Sequence, residues 1–426
     1  MTARHAALTA LYEIEYGGAY SNIALKDVLK KAELSSRDSA LATAIVYGTV
    51  ANKRLLDYMI ETLSSIKLKK LSKYILLIVR MGIYQLKFMD KIPASAAVNE
   101  SVKLAKRYGH RASSGYVNGI LHRAAETDFE IPQDIAVKLS FSDENAKRIM
   151  EDYPECAKDI MQALNKKPKL TVRVNKLRTT KEELLKIDGM EESDFPDALF
   201  CSNIDIGKST EYKDGLFTVQ DISPMIAVKV LAPKKGERVI DLCAAPGGKT
   251  TYIAEMMEND GEILAFDIHR HRTELIDKNA KRLGIDIIKT KTADATVFCK
   301  ELEGTADRIL LDVPCSGLGI ARRKPELKYK TDSENLPEIQ LAILENGARY
   351  VKDGGEIVYS TCTLFKDENE RVVEKFLERN KGFGLVSFEE LLPDGLSEDK
   401  KGMMTILPNN ADMDGFFIAK LRKGAK

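Results

Sequence analysis

No stretch of this sequence holds the roughly 18 successive apolar residues that a membrane span requires. The best candidate, Tyr74 to Leu86, is broken by Arg80. The first residues, MTARHAALTALYEIEYGG, place two acidic side chains where a signal peptide needs an unbroken apolar run. The six cysteines (Cys156, Cys201, Cys243, Cys299, Cys315 and Cys362) lie far apart and form no CxxC pair. In a chain this large that argues against both a disulfide framework and a zinc site. No internal repeat or low-complexity tract is present. These absences point to a cytosolic protein with no metal and no membrane anchor, read here as a monomer. Its cysteines are then either buried or reactive.

The 426 residues exceed one ordinary domain, so two or three are expected. A net charge of +1 conceals an asymmetry: residues 1–125 carry 19 Lys or Arg against 9 Asp or Glu, a balance of +10, which leaves −9 for the remainder. A basic region joined to an acidic one suggests that the first meets a polyanion. A Lys-rich solvated helical surface would give the same count.

Residues 4–125 read as all helix, with SKYILLIVRMGIYQL apolar around most of its circumference, as a central buried helix would be. Residues 126–215 read as a small α+β connector, with helices at Ser142–Asp152 and Cys156–Asn165 and an alternating strand at Leu170–Val174. From residue 216 to 426 strands and helices alternate. Apolar runs at Arg238–Leu242, Glu262–Asp267, Ile285–Thr290, Arg308–Asp312 and Glu356–Ser360 enclose helical stretches. That order predicts a mostly parallel sheet covered on both faces, closed by an antiparallel strand at Gly415–Leu421.

The strand RVIDL runs into CAAPGGKT and then a helix, so Gly247 and Gly248 permit close backbone approach and the helix start offers free N–H groups to an anion. A nucleotide P-loop is excluded, because it needs Gly five positions before Gly248 and Cys243 stands there. Asp267 ends the second strand, where a carboxylate can accept from both ribose hydroxyls. Asp294, ending the third, is placed to meet an adenine amino group. Together these residues fit an adenosine-bearing cofactor. Cys315 (in DVPCSGLG) and Cys362 (in YSTCTL) follow the fourth and fifth strands, on the rim where such sheets bind ligands. Asp312 precedes the first of these cysteines, and Arg322 and Arg323 follow it as candidate contacts for RNA phosphates.

CAAPGGKT, DVPCSGLG, STCT and VQD (Val219 to Asp221) together resemble the Sun (Fmu) family of RNA cytosine-C5 methyltransferases. RMGIYQLKFMDKIPASAAVNESVKLAKRYG and YVNGILHR resemble a NusB-type RNA-binding domain, and the likeness covers almost the whole chain. It implies a Rossmann-like α/β methyltransferase domain preceded by an all-α NusB-like domain and the connector. It implies S-adenosyl-L-methionine as cofactor and RNA as partner, 16S ribosomal RNA first and transfer RNA as the alternative. Cys362 would be the nucleophile that adds to C6 of the base, making C5 able to attack a methyl sulfonium, and Cys315 would assist release. Cys243, Ala244, Ala245, Pro246, Gly247, Gly248, Lys249, Asp267, Asp294 and Asp312 would contact the cofactor, with Lys249 and Asp312 also near the target base. The sequence departs from the family pattern at Lys324 and Glu326, where His and Asp are usual, and it has no tryptophan. The STCT cysteine and the NusB-like region argue against a DNA cytosine-C5 methyltransferase, whose Pro-Cys thiol attacks, and intact Cys315, Cys362, Asp312 and the glycine loop argue against a non-catalytic RNA-binding assembly factor.

Overall fold

The computed structural model describes residues 1–202, 204–330 and 335–424. The chain forms two compact units, Met1–Lys166 with Ala321–Thr331, and Lys167–Ile320 with Asp332–Lys426. Among the described residues no helix is long and apolar enough to cross a membrane.

The first unit is helical. Two of its longer helices begin at side-chain caps that supply acceptors for orphan N–H groups: Ser35 for Asp38 and Ser72 for Ile75. The helix Lys73–Phe88 buries Ile75, Leu77, Ile78, Val79, Met81 and Ile83 and lies at the centre. Gly82 is what allows the neighbouring helix Arg111–Glu126 so close, since a Cβ there would come within 2.8 Å of both Leu121 methyls. Arg80, which breaks the apolar run, is buried with its charge answered. Its Nε and Nη2 donate to the two Asp57 oxygens at 2.7 and 2.8 Å, and Glu15 lies at 3.4 Å.

The region expected as one connector over residues 126–215 divides at Lys166. Its helices Asp143–Asp152 and Ala157–Ala163 belong to the helical unit, together with the distant segment Ala321–Thr331. That segment is held at Glu326, Lys328 and Tyr329. The Glu326 carboxylate accepts from the Ser21 backbone N–H at 2.9 Å and from its hydroxyl. Lys328 Nζ, fully buried, donates to Ala51 O and Asn165 Oδ1 at 2.6 Å and to Leu139 O at 3.2 Å. Tyr329 OH donates to Val50 O at 2.8 Å.

The second unit opens with an antiparallel sheet of β1 (Leu170–Val174), β2 (Met190–Glu192), β3 (Ala198–Cys201) and β4 (Phe217–Val219) in the order β2-β3-β1-β4. Asp221 then caps the helix Ile222–Leu231, whose apolar residues are nearly all buried. The larger sheet comprises β5 (Arg238–Asp241), β6 (Glu262–Asp267), β7 (Ile288–Thr292), β8 (Ala306–Asp312), β9 (Val351–Thr361), β10 (Phe383–Leu385), β11 (Met403–Ile406) and β12 (Phe416–Lys423). Its order is β10-β12-β9-β8-β5-β6-β7, with β11 also on β12. Strands β5 to β9 run parallel and β12 is antiparallel to β9, as the alternation predicted.

One strand expectation is corrected. Ile285 does not begin β7; it closes the helix Arg270–Leu283, with Gly284 in the left-handed region (φ 75°) and the Ile285 N–H bonded to Ala280 O at 2.9 Å. Its buried side chain is the apolar contact of that helix stop. The sheet reverses direction of growth between β5 and β8, so the carboxyl ends of β5, β6, β8 and β9 line the crevice where doubly wound sheets bind ligands.

Candidate active site

Asp241 ends β5 and is buried. Thr250, in the first turn of the helix Gly248–Met256, donates to its Oδ2 at 2.7 Å, while Oδ1 has no hydrogen-bond partner among the described residues. Burial, above all, pushes this carboxyl from its ordinary 3.8 to about 7. Between them the loop from Cys243 turns on Gly247, at φ 99°, where a Cβ would meet the Ile276 Cα and Cγ2 at 3.2 Å. Ala244 is buried, and the Ala245 and Pro246 carbonyls accept from Arg272 at 3.1 Å and Asn279 at 2.9 Å. Burial also pushes the Cys243 thiol well up, which keeps it a neutral packing group.

Asp267 ends β6 and is only 5% exposed. Its Oδ1 accepts from His269 N at 3.1 Å and its Oδ2 lies 3.4 Å from Arg272 Nη1. Asp294 stands two residues beyond β7 rather than at its end; it is exposed, and its Oδ1 caps a turn by accepting from Thr296 N and Oγ1 at 2.8 and 2.7 Å.

The structure brings the two cysteines together. Cys315 Sγ lies 3.3 Å from Cys362 Sγ, and both thiols are free and half-buried. Beside them Lys249 Nζ lies 2.7 Å from Asp312 Oδ2, and Ser360 Oγ donates to Asp312 Oδ1 at 3.0 Å. The hydrogen bond with Cys362, then burial, then the charges of Cys362, Glu368 and Asp312 hold the Cys315 thiol well above its ordinary range. Cys315 is therefore held as a neutral thiol.

Arg322 and Arg323 are placed differently from the cysteines. Both lie in the segment that belongs to the helical unit, Arg322 buried at 8% exposure and Arg323 half-buried. Asp241, Ser360, Ser316 and Glu368 were not singled out in the sequence. The one available signal is a charged residue at the end of an apolar run, which Asp241 shares with Asp267.

A parallel sheet with its reversal beside a glycine loop, an acidic residue ending β6 and an unsatisfied buried carboxylate ending β5 define a Rossmann-like, S-adenosylmethionine-dependent methyltransferase. The residues fit that cofactor: the Asp241 oxygen without a partner among the described residues could take its ammonium group, and Asp267 could take its ribose hydroxyls. The family model for 16S rRNA methyltransferase RsmB/F matches residues 228–422, that for the NusB family residues 1–126, and that for the Methyltr_RsmF/B-like, ferredoxin-like domain residues 146–194. The probable ribosomal RNA small subunit methyltransferase B of Bacillus subtilis is 38% identical, covering 99% of each chain. The crystal structure of PH0851 superposes with a TM-score of 0.84 at 28% identity over 99% of this chain and 98% of that one. NSun6 from Pyrococcus horikoshii, solved with SFG, gives 0.58 at 25% identity over 67% of this chain and 99% of its own. The chain belongs to the RsmB/F family of RNA methyltransferases.

Proposed function

We propose that this enzyme methylates C5 of a cytosine in RNA, with 16S ribosomal RNA as substrate, through a covalent bond between Cys362 and C6 of the base. The observation that carries the reading is the pair of free thiols 3.3 Å apart at the ends of β8 and β9, beside the Lys249–Asp312 ion pair. C5 of cytosine is a poor nucleophile, and a thiolate that adds to C6 pushes the ring electrons onto C5. S-adenosylmethionine, when bound, supplies an electrophilic methyl group. Asp312 accepts from the exocyclic amino group of the base while Lys249 balances charge developing along the same edge. After C5 is methylated a base removes its proton, the Cys362–C6 bond breaks, and the retained proton of Cys315 is at hand for the departing sulfur.

The small-subunit substrate rests on the named activity of the relatives, together with the +10 balance of residues 1–125, which we assign to RNA affinity. Arg323, the more accessible of the arginine pair, is the better candidate for a phosphate contact; Arg322 would need the segment to open. Bisulfite sequencing of total RNA from cells with and without the gene tests the reading. One cytosine in the small-subunit RNA should lose protection without the gene. Loss in a transfer RNA would displace the substrate assignment, and no loss anywhere would displace cytosine C5.

A further inference from the structure

Cys315 and Cys362 lie 47 residues apart on different turns, so the strands alone do not fix the distance between their sulfurs. Two adjacent residues, Glu368 and Asn369, 1% and 0% exposed, each grip one of those turns. Asn369 spans the Cys362 turn: its Oδ1 accepts from Thr361 Oγ1 at 2.5 Å and its Nδ2 donates to Thr363 O at 3.1 Å. Glu368 grips the Cys315 turn. Its Oε2 accepts from Ser316 N at 2.9 Å, and its Oε1 from Ser316 Oγ at 2.6 Å. Gln340 Nε2 donates both to Glu368 Oε2 at 3.0 Å and to Pro314 O at 2.9 Å, bracketing Cys315 from its other side. The Ser316 hydroxyl also lies 2.7 Å from Thr363 Oγ1, which ties the turns to each other. Behind them the buried Tyr359 hydroxyl donates to Glu368 O at 2.6 Å.

Three donors converging on one buried carboxylate form charge-assisted bonds, which are shorter and stronger than neutral ones. Such a carboxylate is costly to bury and of no use to packing alone, because an apolar residue would fill the volume at lower cost. We propose that Glu368, with Asn369 beside it, is a positioning residue that fixes the Cys315 turn against the Cys362 turn and so sets the sulfur-to-sulfur separation on which turnover depends. The inference rests on the two-cysteine reading above and adds to it the group that holds the pair in register.

The test uses the full-length protein without RNA. Diamide, an azo oxidant, takes up two electrons and two thiol protons as a disulfide forms between neighbouring cysteines, and mass spectrometry follows the Cys315–Cys362 bond. In Glu368→Ala the disulfide should form roughly 10-fold more slowly and kcat fall roughly 10- to 100-fold, as expected for misplaced reacting groups, with the KM for RNA and the cofactor affinity unchanged. Glu368→Gln keeps an oxygen for Ser316 N and an amide for Ser316 Oγ, so both rates should stay within about threefold of the wild type. Ser316→Ala removes one half-exposed hydroxyl, leaves the fold intact, and should slow the disulfide by an intermediate factor. Wild-type crosslinking in both Ala variants overturns the proposal. If the wild-type enzyme leaves cytosine unmethylated, the reading beneath fails, and the crosslinking rates then decide the clamp by themselves.

Discussion

In the helical unit Arg80 is buried with both Asp57 oxygens and Glu15 around it; at the rim of the large sheet Asp241 is buried just as deeply, with Thr250 its one side-chain partner among the described residues. The contrast follows role rather than unit. Arg173, whose side chain is fully buried in β1, is satisfied like Arg80: it donates to both Glu255 oxygens at 2.6 and 3.1 Å, to Thr251 at 3.0 Å and to Gly248 O at 2.6 Å, and so braces the start of the cofactor helix. Buried charges that hold the scaffold have their partners in the chain. At the crevice, Asp241 keeps one oxygen without a partner among the described residues, which is how a site stores affinity for a ligand at a cost in stability.

The strongest way to break this distinction lies at the cysteines. Cys362→Ala should abolish methylation and leave no covalent RNA complex. Cys315→Ala should still allow attack and methyl transfer, then accumulate a denaturation-resistant RNA adduct through Cys362, visible as a slow band on a denaturing gel. The reverse pattern would make the Pro-Cys thiol the nucleophile, and the absence of an adduct from either variant would return both cysteines to the scaffold.

Next in size is the scaffold control. Arg80→Met strands the Asp57 carboxylate, while Glu15 keeps Lys53 at 2.8 Å, and should destabilise the helical unit by about 3–5 kcal/mol in chemical denaturation. Cofactor affinity measured by calorimetry should not change. A loss of affinity with little loss of stability would erase the distinction between scaffold and rim.

Asp267→Ala should do the opposite. Losing hydrogen bonds to a charged acceptor costs about 1.5–3 kcal/mol, so cofactor affinity should fall roughly 10- to 150-fold. Because His269 N and Arg272 also lean on this carboxylate, the variant should lose some order in the loop after β6. Unchanged calorimetric affinity would remove Asp267 from the ribose assignment.

The same division explains what the sequence disclosed. Helices of the first unit and the parallel strands were legible because their apolar residues recur with the period of each element, and β12 because GFFIAKL could be nothing but a strand. Asp267 and Asp312 were legible because a polar side chain ending an apolar run stands out, whereas Asp241 ends β5 in the same way and passed unnoticed. The segment Ala321–Thr331 was not. RRKPELKYK carries no local sign that Glu326, Lys328 and Tyr329 find their partners on Ser21, Ala51 and Val50, hundreds of residues earlier. Residues 1–125 read alone therefore give no sign of these distant partners. Ile285 misled for a related reason: a β-branched apolar residue after a helix serves equally as a strand start or as the contact that closes a glycine stop, and only the fold decides. Glu368 was hidden because its meaning lies in Ser316, 52 residues away.

The smallest effect is also the most direct reading of the contrast, and it comes from Asp241. Its folded-state pKa is raised from 3.8 to about 7, chiefly by burial, so between those values the folded protein binds more protons than the unfolded chain. Stability of the cofactor-free enzyme should therefore decline as pH rises from about 4 to 7, and the full cost of the buried charge should persist above that range. Asn at this position does not titrate. Asp241→Asn should remove the decline and make the cofactor-free protein more stable than wild type at pH 8, with the difference vanishing toward pH 4. Adding S-adenosylmethionine should invert the ranking at pH 8. The carboxylate then gains the cation it lacks, while the amide offers no charge to it, so ligand binding raises the wild-type melting temperature by more. Melting curves with and without cofactor at pH 5 and pH 8 measure all four states. If the variant gains as much from the cofactor as wild type does, Asp241 is a scaffold residue with an unpaid burial cost, and the rim has no stored affinity at β5.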